Sequence, residues 1–223
     1  MLEPDTLPFW PYLSWQFSDE WVEYEDALAR MESEIINIQH NKSNGLIWFL
    51  EHPALITAGS SAKSHDLLPQ NTLPVYHVGR GGQYTYHGPG QRIIYLMLDL
   101  KAWRQDVRCY IQALERWIIM ALQALNIHGV IESGRVGVWV DNTATGGQDK
   151  IAAIGVRLKR WVTMHGIAIN YDPNLSHYQS IVPCGIHDKK FGITSIKTLN
   201  PHVKMEDLDA ALIKNFAKAF TVG

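Results

Sequence analysis

The chain has 223 residues, is 46% apolar and 19% charged, and carries a formal net charge of −2. That length is ample for a hydrophobic core, and the charge balance argues against a nucleic-acid binder that works by broad phosphate neutralisation. Two cysteines, Cys109 and Cys184, suggest neither a disulfide framework nor a structural zinc site, and no apolar run approaches the length needed to span a bilayer. The opening Met-Leu-Glu-Pro-Asp has neither the basic and apolar regions of a secretory signal nor the Arg-rich character of a transit peptide, so the expected location is cytoplasmic.

Ser18, followed by Asp19 and Glu20, predicts a capped helix start. Trp21, Tyr24, Leu28, Met31, Ile35 and Ile38 then recur at three- and four-residue steps and make one apolar helical face. Residues 46–50 and 55–58 predict short strands around a Glu51-His52-Pro53 turn, and residues 75–78 lead into a glycine-dense stretch. The continuous apolar run at residues 93–98 predicts a strand buried on both faces. A second helix is expected from a cap at Asp106 to about Asn126, with Val107, Tyr110, Leu114, Trp117, Ile118, Ala121 and Leu125 on its apolar face. Residues 136–140, 151–158 and 161–169 predict strands. Residues 206–220 predict a closing helix with Leu208, Leu212, Phe216 and Phe220 on one side. Helices and antiparallel-looking hairpins follow one another without a strict βαβ rhythm. The expected fold is therefore α+β, a mixed β-sheet flanked by helices in a single domain over residues 1–223.

The densest chemistry lies in residues 79–91, Gly-Arg-Gly-Gly-Gln-Tyr-Thr-Tyr-His-Gly-Pro-Gly-Gln. Five glycines there let a ligand approach bare backbone N–H groups, while Arg80, Thr85 and His87 add a charge, a hydroxyl and an imidazole. Read alone, such a stretch is equally a pair of tight turns between strands.

Arg80, Gly81, Gly82, Thr85, Tyr86, His87, Gly90, Gln91, Ile93 and Tyr95 stand in the order and spacing of a signature that resembles the octanoyltransferases of lipoate biosynthesis. Lys150-Ile-Ala-Ala-Ile-Gly155, running on to His165-Gly-Ile-Ala168, and Ile181-Val-Pro-Cys-Gly185 resemble the same family, so the likeness extends from about Trp21 to Ile196. It implies the biotin/lipoate protein ligase-like fold and transfer of an octanoyl or lipoyl group without a cofactor. The implied donor is octanoyl-acyl carrier protein. The implied acceptors are lysines of lipoyl domains in 2-oxoacid dehydrogenase complexes and of the glycine cleavage H protein. The implied substrate-binding residues are Arg80, Gly81, Gly82, Gln83, Tyr84, Thr85, Tyr86 and His87, then Ala153, Ile154 and Gly155, then Gly166, Ile167 and Ala168. Two departures, Gly79 where an acidic residue often stands and Thr57-Ala-Gly-Ser-Ser61 in place of a Thr-Leu-Gly type, are expected to touch only the pocket rim.

Cys184 stands between Pro183 and Gly185, a context that presents a thiol at a turn and equally suits a small buried hydrophobe; the resemblance makes it the nucleophile. Cys109, within an apolar helix, reads as the buried hydrophobe. A thiol is mostly protonated at neutral pH and needs a cation or base beside it. Lys150 leads into an apolar segment, where partial desolvation lets it exchange a proton with a thiol, and the resemblance gives it that role. His87, His177 or His187 would instead make a Cys–His dyad. His87 is read as a positioning group beside Arg80, and His165 as a satisfied core histidine. Arg80 and His87 are expected to affect binding more than stability. Arg157, Lys159 and Arg160, or Lys189 and Lys190, are candidates for docking an acidic carrier protein.

Other classes leave less trace. No GxxxxGK[ST] phosphate loop and no HExxH or paired CxxC metal motif occurs. An ATP-dependent lipoate or biotin ligase, a transferase acting between lipoyl domains and a silent carrier-binding module remain as alternatives. In the ligases that the family resembles this loop usually carries more basic residues, so Arg80 as its one cation implies an already activated thioester over a nucleotide.

Overall fold

The computed structural model describes residues 7–182 and 190–221. In chain order the strands are β1 (Ser14–Phe17), β2 (Leu46–Leu50), β3 (Leu55–Ala58), β4 (Val75–His77), β5 (Tyr84–His87) and β6 (Gln91–Met97), then β7 (Val130–Glu132), β8 (Arg135–Asn142), β9 (Gly147–Lys159), β10 (Val162–Asn170) and β11 (Phe191–Ile193). The helices are α1 (Tyr24–Gln39), α2 (Val107–Ala124), the short α3 (Ile196–Leu199) and α4 (Met205–Thr221).

The larger sheet has the order β1-β2-β6-β10-β9-β8-β7, with β11 pairing in parallel with the first part of β9. It is mixed, since β1 runs parallel to β2 while the pairs from β2 through β7 are antiparallel. Every residue of β2 and β6 is buried because helices cover both faces. Ile47, Phe49, Ile94 and Leu96 point toward α2 and α4, while Trp48, Leu50, Ile93 and Tyr95 point toward α1. The period of two therefore distributes one continuous apolar run between two cores. A second, three-stranded sheet, β4-β3-β5, packs Ile56, Ala58, Tyr84 and Tyr86 on Tyr178 and Ile181.

Two helix boundaries test the sequence reading. Asp106 caps α2 as expected, accepting hydrogen bonds from Arg108 N at 2.8 Å and Cys109 N at 3.1 Å. Ser18 does not cap α1. The N–H groups of Ser18 and Val22 go to Phe49 O and Glu51 O, which holds residues 18–22 extended along the end of β2. The Ser18 hydroxyl accepts from Trp48 Nε1 at 2.9 Å, Trp21 is 60% exposed, and the helix begins only at Tyr24. The glycine-dense stretch is not only turns, since β5 forms within it, and β1, β7, β11 and α3 are elements that local periodicity did not reveal. Among the described residues no helix is long and apolar enough to cross a membrane.

Candidate active site

A cavity of about 300 Å³ opens between the small sheet and the β6-β10-β9 part of the larger one. Three regions far apart in sequence supply its wall: residues 80–85 with His87, residues 153–155 beyond Lys150, and residues 165–168. Gly166, Ile167 and Ala168 on β10 pair with Gly155, Ile154 and Ala153 on β9, so two of these segments lie side by side as one surface. Tyr24, Ile93, Tyr95, Ser61 and the β7–β8 hairpin residues Gly134, Arg135 and Val136 complete the lining. Among the described residues named from the sequence for this wall, Tyr86 is the exception. Strand alternation turns it to the opposite face from Thr85 and His87, where it meets Tyr178 and His177 at ring-centroid distances of 5.4 and 5.0 Å.

Arg80 is buried, and its guanidinium is bound almost entirely to the protein's own oxygens. Nε donates to Thr57 Oγ1 at 3.1 Å. Nη2 donates to Thr57 O, Thr57 Oγ1 and Gln83 O at 2.7, 2.6 and 3.0 Å, and Nη1 to Gly81 O at 2.9 Å. The loop is therefore built around its arginine, which contradicts the expectation that Arg80 adds little to stability. Gly155 makes room for it, since a Cβ there would lie 2.9 Å from Arg80 Cδ. Thr57, taken from sequence as a rim residue, is the hub of this wall. Its hydroxyl also meets His87 Nε2 at 3.2 Å, while His87 Nδ1 donates to Gln91 Oε1 at 2.8 Å. That second bond leaves Nε2 unprotonated, so the Thr57 hydroxyl donates to it while accepting from Arg80. Gln91 continues the network, its Nε2 donating to Asn170 Oδ1 at 2.9 Å.

Burial pushes the His87 imidazole well below its ordinary range, helped by the Arg80 guanidinium, so it is neutral. Burial also lowers His52 to about 4 and His165 to about 3. His52 Nδ1 donates to Val22 O at 2.6 Å and its Nε2 accepts from the Tyr95 hydroxyl at 2.8 Å. His165 is not the satisfied core histidine expected from sequence. It lines the cavity in a left-handed backbone conformation with φ of +63°, bonds Tyr24 OH through Nε2 at 3.2 Å, and its buried Nδ1 finds no hydrogen-bond partner among the described residues. Strain and an orphaned polar atom at a cavity wall mark a site that packing alone does not explain.

Lys150 is 5% exposed at the cavity, its Nζ donating to Val136 O at 3.1 Å and lying 4.7 Å from the Trp139 ring centroid. Cys184, His187 and Lys189 lie outside the described residues. Cys109 is partly exposed on α2 and does not line the cavity, so it is not the fully buried hydrophobe expected. His177 lies against Tyr86, away from the lining. Arg157, Lys159 and Arg160 are exposed around the β9–β10 turn, and Lys190 is exposed before β11. Among the described residues no group of three or more His, Cys, Asp or Glu side chains is placed to hold a metal ion.

The model of the lipoyl protein ligase A/B catalytic domain matches residues 23–217, a span that holds every wall segment of this cavity. The chain belongs to that family. Similar relatives are an octanoyltransferase of Hyphomonas neptunium, 52% identical over 213 residues with 94% of this chain and 91% of the relative covered, and one of Maricaulis maris, 53% identical over 210 residues with 94% and 92% covered. With these relatives at half identity, this member of the lipoyl protein ligase A/B family is an acyltransferase. A bi-partite lipoate protein ligase from Thermoplasma acidophilum superposes with a TM-score of 0.68 at 13% identity, covering 94% of this chain and 84% of that one. At that identity the shared feature is the fold, in agreement with the architecture expected from the sequence.

His52 and Glu115 are site or near-site residues to which the sequence assigned no role, and Thr57 was placed only at the rim. Their place comes from the β2–β3 turn, β3 and α2 being folded onto segments distant in the chain.

Proposed function

We propose that this chain transfers an octanoyl group from acyl carrier protein to a lysine of a lipoyl-bearing domain through an acyl-thioester on Cys184. The observation that carries the reading is half identity to octanoyltransferases along 94% of the chain, in which the matched span includes the whole cavity wall. The cavity volume adds to it: about 300 Å³ lies at the small end of ligand sites, which run from roughly 300 to 1,000 Å³, and is room for an acyl chain.

In the first half-reaction the Cys184 thiolate attacks the carbonyl carbon of the carrier thioester. The bond to the carrier sulfur breaks and Lys150 gives that sulfur a proton. In the second, the neutral amine of the target lysine attacks the acyl-Cys184 carbonyl and the Cys184 sulfur leaves. Lys150 takes the proton that the new amide nitrogen loses. Exchanging a thioester for an amide is downhill, so no nucleotide is consumed. Arg80, Gly81, Gly82, Gln83, Thr85 and His87 fix the thioester end, while Ala153–Gly155 and Gly166–Ala168 bed the chain. The exposed Arg157, Lys159 and Arg160 receive the acidic carrier.

The test is a mass measurement. Incubation with octanoyl-carrier protein and no ATP is expected to add one hydroxylamine-labile octanoyl group. Cys184→Ser abolishes the addition and Cys109→Ser does not. Acylation of Cys109, or an absolute need for ATP, overturns the reading.

A further inference from the structure

We propose that Glu115 is a positioning residue for Lys150, its buried carboxylate holding the ammonium in place at the edge of the cavity. The inference rests on the reading of Lys150 as the proton partner in acyl transfer.

Glu115 is the one charged side chain among the residues that α2 buries, and it is 5% exposed. Its Oε1 accepts from Gly137 N at 3.1 Å. Gly137 has a φ of +123°, and a Cβ there would lie 3.4 Å from both Cε and Nζ of Lys150. The bare backbone of Gly137 is thus a thin partition with the carboxylate bonded to it and the ammonium packed against it. Next to this point the β8–β9 register slips: Val138 faces Ala152 and Trp139 faces Lys150, which leaves Ile151 as an extra residue on β9. Such a bulge re-aims the neighbouring side chain. Lys150 reaches Val136 O and the Trp139 ring from it.

A buried carboxylate with a single N–H partner is costly, and a nearby cation offsets part of that cost. Burial raises the Glu115 carboxyl above its ordinary value, while the Gly137 N–H and the Lys150 charge pull it back. Lys150 is the charged side chain that acts on it. The attraction is mutual, so the carboxylate also holds the ammonium in its place.

Glu115→Gln retains an oxygen for the Gly137 N–H and removes only the charge. The variant is expected to melt close to the parent, keep its KM for an octanoyl thioester, and lose roughly ten- to a hundredfold in kcat, the scale of a misplaced reacting group. A second readout uses no acyl donor. Labelling of Lys150 by an amine-selective acylating reagent at neutral pH, followed by peptide mass spectrometry, is expected to run several-fold faster in Glu115→Gln. A third uses stability: in a Lys150→Met background, Glu115→Gln removes an uncompensated buried charge and is expected to raise the melting temperature. Unchanged kcat together with unchanged labelling, or a lowered melting temperature in the Lys150→Met background, overturns the proposal and leaves Glu115 as a cap for Gly137. If the parent forms no acyl-Cys184, the reaction scheme falls, and the labelling and melting results still decide the case of Glu115.

Discussion

Replacing Thr57 by Val keeps the shape of the side chain and deletes one oxygen. That oxygen accepts from Arg80 Nε at 3.1 Å and Nη2 at 2.6 Å and meets His87 Nε2 at 3.2 Å. Nη2 retains Thr57 O at 2.7 Å and Gln83 O at 3.0 Å, so the loss falls on Arg80 Nε and on the unprotonated nitrogen of His87. A hydrogen bond to a charged group is worth about 1.5–3 kcal/mol and a neutral one about 0.5–1.5, giving about 2–4.5 kcal/mol for the two. For a chain of this size each kcal/mol corresponds to about 2–4 °C, so the melting temperature is expected to fall by at least about 4 °C. Thr57→Ser restores the oxygen and deletes one methyl group, at a cost near 1 kcal/mol. Circular-dichroism melts of the three proteins, alongside kcat/KM for a small octanoyl thioester, make the comparison. The Val variant should lose both stability and activity, and the Ser variant should recover most of each. A Val variant that melts within about 1 °C of the parent with normal turnover would show that Arg80 and His87 do not depend on this hydroxyl.

Acid should destabilise the fold through its buried histidines. His52, His87 and His165 are held below 6.5 by burial, so the unfolded chain takes up protons that the folded chain refuses. This stability is complete above about pH 6.5 and falls as pH drops toward about 4 for His52 and about 3 for His165. Asp209, raised to about 6 by burial, works in the opposite sense and offsets one of the three. A urea midpoint that is flat from pH 7 to 5 would refute this. Gly155→Ala would set a Cβ 2.9 Å from Arg80 Cδ, on a side chain whose guanidinium is pinned, so about 1–3 kcal/mol of stability and much of kcat/KM should be lost. If both are unchanged, the Arg80 stem yields freely. Reversing charge at Arg157 and Arg160, both exposed, should raise KM for octanoyl-carrier protein while sparing a small thioester. The effect should fade as salt shortens the Debye length below about 8 Å. A kcat/KM for the carrier substrate that is independent of salt would leave recognition to the acyl chain and its arm.

Several features were legible in the chain because they are local. The α2 cap at Asp106 is a contact between a side chain and the next three residues, and the buried character of β6 follows from an uninterrupted apolar run. The three wall segments were named through their resemblance to family motifs, and the α+β class came from helices and hairpins interspersed without a βαβ rhythm. Where the sequence misled, a distant partner had intervened. The start of α1 moved to Tyr24 because Phe49 O and Glu51 O claimed the N–H groups ahead of it. Tyr86 left the cavity because strand formation inside the glycine-dense stretch imposes alternation.

The sequence by itself determined which residue types carry chemistry, their spacing within each motif, and the apolar periods of α1, α2, β6 and α4. Only the tertiary structure decided that Thr57 joins Arg80 to His87, that His165 faces the cavity with an unmet nitrogen, and that Glu115 sits across Gly137 from Lys150. The reason is physical. Hydrogen-bond capacity and period are properties of neighbouring residues and can be read along the chain. Burial and partnership depend on what the rest of the molecule brings within about 3 Å of an atom. A buried charge or an orphaned imidazole nitrogen exists only once the sheets and α2 have closed around it.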